Sequence, residues 1–186
     1  DVMGEDLSEI GLYIGNAGVR PTNADNVISE TVNTPYTANK YQMNDIILDY
    51  ETNYSVLGYG ENSAGIGETD NYIEVWTQSK APSSIASFDI TTRGATSLKL
   101  ENITANFPST GATAKGYKIL RSMTPIPSYT ANSGQEIIAN AGTVIAGNIN
   151  STNTEFTDTG LQPDTEYYYS VVPYTWNGAN EETYNY

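Results

Sequence analysis

Apolar and polar residues alternate along this chain instead of recurring at every third or fourth position. Ser97-Leu98-Lys99-Leu100 alternates, and so does Gly116-Tyr117-Lys118-Ile119-Leu120. In the first half, Gly11-Leu12-Tyr13-Ile14 and Tyr54-Ser55-Val56-Leu57 follow the same pattern, and Tyr72-Ile73-Glu74-Val75-Trp76 reads as a further strand. Tyr167-Tyr168-Tyr169-Ser170-Val171-Val172 is a longer and more apolar run. A period of two, carried by β-branched and aromatic residues, predicts strands with one face buried and one wet. Gly, Pro, Asn and Thr interrupt the pattern every 8–12 residues or so, the spacing of short strands joined by turns. No segment shows the helical period.

The pattern also repeats. Ile10-Gly11-Leu12-Tyr13-Ile14 aligns with Lys115-Gly116-Tyr117-Lys118-Ile119, and Leu48-Asp49-Tyr50-Glu51-Thr52 with Leu161-Gln162-Pro163-Asp164-Thr165. Tyr54-Ser55-Val56-Leu57-Gly58-Tyr59 then aligns with Tyr169-Ser170-Val171-Val172-Pro173-Tyr174, and Asn62 with Asn177. The offset drifts upward along the chain, as it must if loops vary in length while strands keep their order. A repeat of about 100 residues is one β-sandwich module. The boundary is expected at Gln78–Ser84, a Pro/Ser segment. This gives a partial module over residues 1–78, a linker over 79–83 and a complete module over 84–186. Matched to the second module, the first begins near its third strand and lacks about two strands.

Composition narrows what such modules do. The chain holds 8 Lys+Arg against 22 Asp+Glu, a net charge of -14, which repels a phosphate backbone and argues against nucleic-acid binding. It has no Cys and no His, so disulfides, thiolate metal sites, thiol nucleophiles and the usual general base near neutral pH are all missing. No run reaches the ~18 apolar residues of a membrane-spanning helix. Tyr, with 15 copies, outnumbers 3 Phe and 2 Trp, which suits a half-buried pleated surface with the ring inside and the hydroxyl at water. A chain that neither begins with Met nor carries a signal peptide fits a processed or excised piece of something longer.

Leu161-Gln162-Pro163-Asp164-Thr165-Glu166-Tyr167, followed by an alternating strand, resembles the signature of fibronectin type III modules at the entry to their sixth strand. The resemblance implies an all-β fold of two tandem immunoglobulin-like sandwiches, the first N-terminally incomplete. It implies that Leu161 packs in the core and that Pro163 and Thr165 set the turn. Tyr167 would then close a tyrosine corner by bonding its hydroxyl back to the nearby backbone. Leu48, Glu51, Thr52 and Tyr54 echo the motif in the first module, where Tyr50 replaces Pro. The core Trp that the family carries in its second strand is absent from Ser97–Ile103, so Leu98, Leu100, Ile103 and Tyr117 are expected to close the core. Abundant Asn, Thr and Tyr without Cys gives the modules the look of those in bacterial surface and secreted proteins.

Several groups remain as candidates for chemistry. Carboxylates cluster at Asp1, Glu5, Asp6 and Glu9, at Glu61, Glu68 and Asp70, and at Glu181 and Glu182. None has the order of an EF-hand, so no cofactor is expected; calcium at a module junction is the sharper alternative to solvated acidic loops. Glu68 and Asp70 fall in an apparent loop with no cleft argued by the sequence, unlike the carboxylate pair of a glycosidase. Tyr174 and Trp176 are the candidate interaction residues, placed in the turn after the sixth strand, where Trp176 either stacks on a sugar or anchors a partner, or folds onto the neighbouring module or sheet face. Trp76 is expected to pack at the junction of the modules. Asn150, before Ser151-Thr152, is the one plausible glycosylation acceptor. The expected partners are neighbouring copies or modules of the same protein, whose strands could fill an exposed edge of the first module. Surface glycans come second. A non-enzymatic structural or adhesive pair from a longer extracellular, bacterial protein leads the functional readings. An accessory spacer or carbohydrate-binding module of a secreted hydrolase follows, and an enzyme comes last.

Overall fold

The computed structural model describes residues 7–31, 47–84, 86–125, 134 and 143–186. The chain is all-β; among the described residues one 3-10 turn, Glu181–Thr183, is the sole helical element. It divides into two compact units, Asp1–Thr77 and Gln78–Tyr186.

Among the described residues unit 1 is one antiparallel sheet. Strand β1 (Glu9–Asn16) lies between β2 (Asn26–Thr31) and β3 (Asn53–Asn62). The other edge of β3 is shared by β5 (Ile73–Trp76) along its first half and β4 (Gly65–Glu68) along its second. Alternation gives the sheet two distinct faces. Tyr13 pairs with Leu57 and Gly11 with Tyr59 on one; Leu12 pairs with Gly58 and Ile14 with Val56 on the other. On the first face Tyr13, Leu57 and Tyr59 are buried around a ring stack, with the two tyrosine centroids 4.4 Å apart.

Unit 2 is a sandwich of two three-stranded antiparallel sheets. One is ordered β10-β7-β6, from Phe156–Thr159, Ser97–Thr104 and Ser87–Arg93; the other is β11-β8-β9, from Tyr168–Trp176, Ala114–Ser122 and Thr143–Asn150. Leu100 and Ile103 from the first sheet meet Tyr117, Ile119 and Val171 from the second, with Phe88, Phe107, Phe156 and Tyr169 around them. The core closes without a Trp because Phe107 sets its ring edge-on to Tyr117 at 5.5 Å. Leu98, expected in this core, is half-buried, and Ile119 and Val171 take the central places.

The segment 79–83, expected as a linker, hydrogen-bonds with unit 2. Ser79 N–H donates to Thr183 O at 2.9 Å, Lys80 N–H to Gly111 O at 2.6 Å and Ser83 N–H to Asn106 O at 2.8 Å. Three of the segment's backbone donors are thereby satisfied within the unit.

The two units share one block of structure. In each, a glycine on the central strand sits beneath a tyrosine of the next strand: Gly11 opposite Tyr59, Gly116 opposite Tyr174. A Cβ on Gly11 would strike Ile28 O and the Tyr59 ring; on Gly116 it would strike Ile149 O and the Tyr174 hydroxyl. This places β1, β2 and β3 on β8, β9 and β11. Among the described residues, unit 1 has no strands in the places of β6, β7 and β10.

Candidate functional site

The corner at the entry to β11 is built from the residues that the sequence singled out. Leu161 is buried, Thr165 and Tyr167 are half-buried, and Pro163 is exposed. The Tyr167 hydroxyl accepts from Gln162 N–H at 3.0 Å, and Thr165 Oγ1 donates to Pro163 O at 3.1 Å. Asp164 takes a φ of 52° between them, a left-handed conformation that a short polar side chain tolerates. Unit 1 makes the same corner bond for bond. Asp49 N–H donates to the Tyr54 hydroxyl at 3.1 Å, Thr52 Oγ1 donates to Tyr50 O at 3.0 Å, and Glu51 has a φ of 56°. Pro is therefore dispensable here, because the hydroxyl and the left-handed residue set the turn.

Beside this corner Asp158 is buried and fully engaged. Arg121 Nη1 donates to both of its oxygens, at 3.0 and 2.9 Å, and the Tyr169 hydroxyl donates to Oδ2 at 2.7 Å. The network ties β10 of one sheet to β8 and β11 of the other. Burial, then the bond to Asp158, holds the Tyr169 hydroxyl well above its ordinary pKa. A cleft lined by Arg121, Met123, Gln162 and Tyr167 adjoins it. The charge of Arg121 is already neutralised by Asp158, and the Tyr167 ring lies 5.6 Å from the guanidinium.

Tyr174 and Trp176, expected in a turn, are in the last stretch of β11, and the turn begins at Asn177. Trp176 stacks on Tyr184 with centroids 4.7 Å apart, and Tyr184 stacks on Tyr186 at 5.9 Å. Tyr174 is buried and tilts onto Tyr184 at 5.3 Å. The three stacked rings form a row on the outer face of the β11-β8-β9 sheet, with one face of Trp176 spent on Tyr184. Lys118 lies among them, 2% exposed, with its ammonium 5.4 Å from the Tyr174 ring centroid and 5.7 Å from that of Tyr184. Lys118 and Tyr184 escaped the sequence reading. Alternation put Lys118 on the wet face, and nothing local told that aromatic rings would roof it.

The carboxylates go to separate tasks. Glu9 accepts from the Tyr59 hydroxyl at 2.7 Å, and Glu68 pairs with Arg20 at 3.1 Å. Arg20 also donates to Asp70 O at 2.9 Å. Glu181 and Glu182 lie in the 3-10 turn, which Asn180 caps. Asp1, Glu5 and Asp6 lie outside the described residues. Among the described residues no three acidic side chains gather as metal ligands would, and no helix is long and apolar enough to cross a membrane. Asn150 closes β9, and its side-chain carbonyl accepts from Thr152 N–H at 3.0 Å.

No protein-family model matches the chain, and no curated protein matches it. Among solved structures the chain is similar to "chicken CNTN1 FN1-FN3 domains", at a TM-score of 0.36 and 14% identity. The match covers 96% of this chain and 52% of the other, so the chain spans about half the length of that structure.

Proposed function

We propose that this chain is a non-catalytic, structural or adhesive segment of a longer extracellular protein, assembled from modules of the fibronectin type III kind. The observation that supports this reading most is the repeated corner, Tyr54 onto Asp49 and Tyr167 onto Gln162, each opening the strand that pairs with the central one. It supports a reading as two modules of one design. The polar groups that would serve chemistry are instead committed to holding the modules together: Asp158 to Arg121 and Tyr169, Glu9 to Tyr59, Glu68 to Arg20. An antibody against the chain, applied to fractionated cells of the source, tests the proposal. A surface or secreted species heavier than 20.2 kDa is expected; a species of that mass confined to the cytosol would overturn it.

A second reading, an accessory or carbohydrate-binding module of a secreted hydrolase, rests on Trp176, which is half-buried and stacks on Tyr184. Glycan-array binding that disappears in Trp176→Ala would favour it. No binding by either protein would end it.

A further inference from the structure

Two polar atoms on one face of β3 are buried without a hydrogen bond. Ser55 is 0% exposed, and its Oγ bonds to nothing among the described residues. Asn53 Oδ1, two positions back on the same face, is likewise buried and unbonded. Such atoms are costly to bury unless something binds them.

Carboxylates flank the pair from both sides. Strand register sets Ser55 between Gly15 on β1 and Glu74 on β5. Gly15 has no side chain, and the Asp25 carboxyl takes that space: a Cβ there would meet its carbon at 3.2 Å and its Oδ1 at 3.3 Å. Cross-strand partners point their side chains to one face, so Asp25 lies over the same face as Ser55. Thr22 N–H donates to Asp25 Oδ2 at 2.8 Å and fixes the carboxylate there. From the other side, Glu74 Oε1 accepts from Gly18 N–H and Oε2 from Asn53 Nδ2, both at 2.9 Å. Gly18 follows β1, so this bond draws the Glu74 carboxylate from β5 across β3. Neither Asp25 nor Glu74 is ion-paired among the described residues. Arg20, in the same connection, is spent on Glu68, Thr69 O and Asp70 O.

We propose that Asp25, Asn53, Ser55 and Glu74 form a binding site for a calcium ion. The donor set is all oxygen, two charged and two neutral, which suits a hard cation. Calcium takes about six to eight oxygens in a flexible geometry, and water supplies those the protein does not. Magnesium demands a near-ideal octahedron and parts reluctantly with its water, so it gains less from a hydroxyl and an amide oxygen on a rigid strand. A net charge of -14 attracts cations everywhere; the two unbonded oxygens between unpaired carboxylates single out this place. Asp25 and Glu74 are exposed while Ser55 is not, so an ion reaches the floor from solvent past both carboxylates.

The proposal rests on contacts within unit 1 and not on the extracellular reading, so either can fail alone. The test is calorimetric titration of the chelator-dialysed full chain with calcium chloride. One site per chain is expected, with a Kd of about 0.1–1 mM, as in extracellular calcium modules. Glu74→Gln, at an exposed residue, should weaken binding about tenfold, since charge count tunes affinity. Ser55→Ala removes a hydroxyl that makes no bond within the protein. It should keep the near-ultraviolet circular dichroism and calcium-free unfolding midpoint of the parent, yet bind several-fold more weakly. Glu182→Gln makes the same charge change in unit 2 and should bind as the parent does. A parent that binds no calcium would overturn the proposal and leave the two oxygens to water. Equal binding by Glu74→Gln and Glu182→Gln would overturn it too, by reducing the effect to diffuse counterion attraction. So would Ser55→Ala binding as tightly as the parent, or magnesium chloride binding more tightly than calcium.

Discussion

At the residue scale, single hydroxyl groups hold the turns of both units. Tyr167→Phe keeps the ring on Arg121 and removes the acceptor for Gln162 N–H. A loss of about 1 kcal/mol in unfolding free energy is expected from denaturant titration. Tyr54→Phe should cost unit 1 a similar amount through Asp49 N–H. These roles were legible for Tyr167 from the Leu-x-Pro-x-Thr-x-Tyr motif. They were less so for Tyr54, because Tyr50 stands where Pro was expected and the eye follows the proline. The chain follows the left-handed φ at Glu51 and Asp164 instead, which no residue type announces. Alkaline pH reads the hydroxyls as a set. Burial, with the bond to Glu9, pushes Tyr59 up to about 12 from 10.0. Tyr169 and Tyr13 are raised as well, Tyr169 by burial and Asp158, Tyr13 by burial and nearby glutamates. A folded pKa above the unfolded value means that the native state holds its proton more tightly. Stability from these groups is therefore complete below pH 10 and lost as pH rises towards 12. Chemical denaturation at stepped alkaline pH should show a midpoint that is level up to the unfolded tyrosine pKa and falls above it.

At the scale of elements, period-two alternation located the long central strands, β1, β3, β7, β8 and β11, and the short β5. It missed β2, β4, β6, β9 and β10. Several of these are short or interrupted: β6 and β9 carry register shifts against their neighbours, which break the alternation. β4 and β5 are four-residue pieces that share the outer edge of β3. The row of Trp176, Tyr184 and Tyr186 was also out of reach of local pattern, since it forms only when the last residues return to pair Asn185 with Thr175. The tightest element-level contact is where β8 passes under Tyr174. Gly116→Ala would drive a methyl group into Ile149 O and the Tyr174 hydroxyl, and backbone cannot retreat as a flexible side chain can. A loss of about 1–3 kcal/mol is expected by thermal or chemical unfolding, whereas Gly178→Ala, strained in φ but with only the Ala114 methyl nearby, should cost less.

At the scale of the whole molecule, the chain divides into two compact units, and each carries a corner closed by a tyrosine hydroxyl. The repeat set the order of strands, the place of the corners and the division near residue 78. Sequence could not tell that residues 79–83 would bond into unit 2, because a Pro/Ser segment looks the same whether its amides face water or a neighbouring loop. Hydrogen exchange read amide by amide on the full chain tests the duplication most directly. Slow exchange is predicted along β8 and β11, along β1 and β3 at matched register, and at the corner amides of Asp49 and Gln162. Slow exchange in β8 and β11, with β1 and β3 exchanging as fast as an unfolded chain, would contradict it.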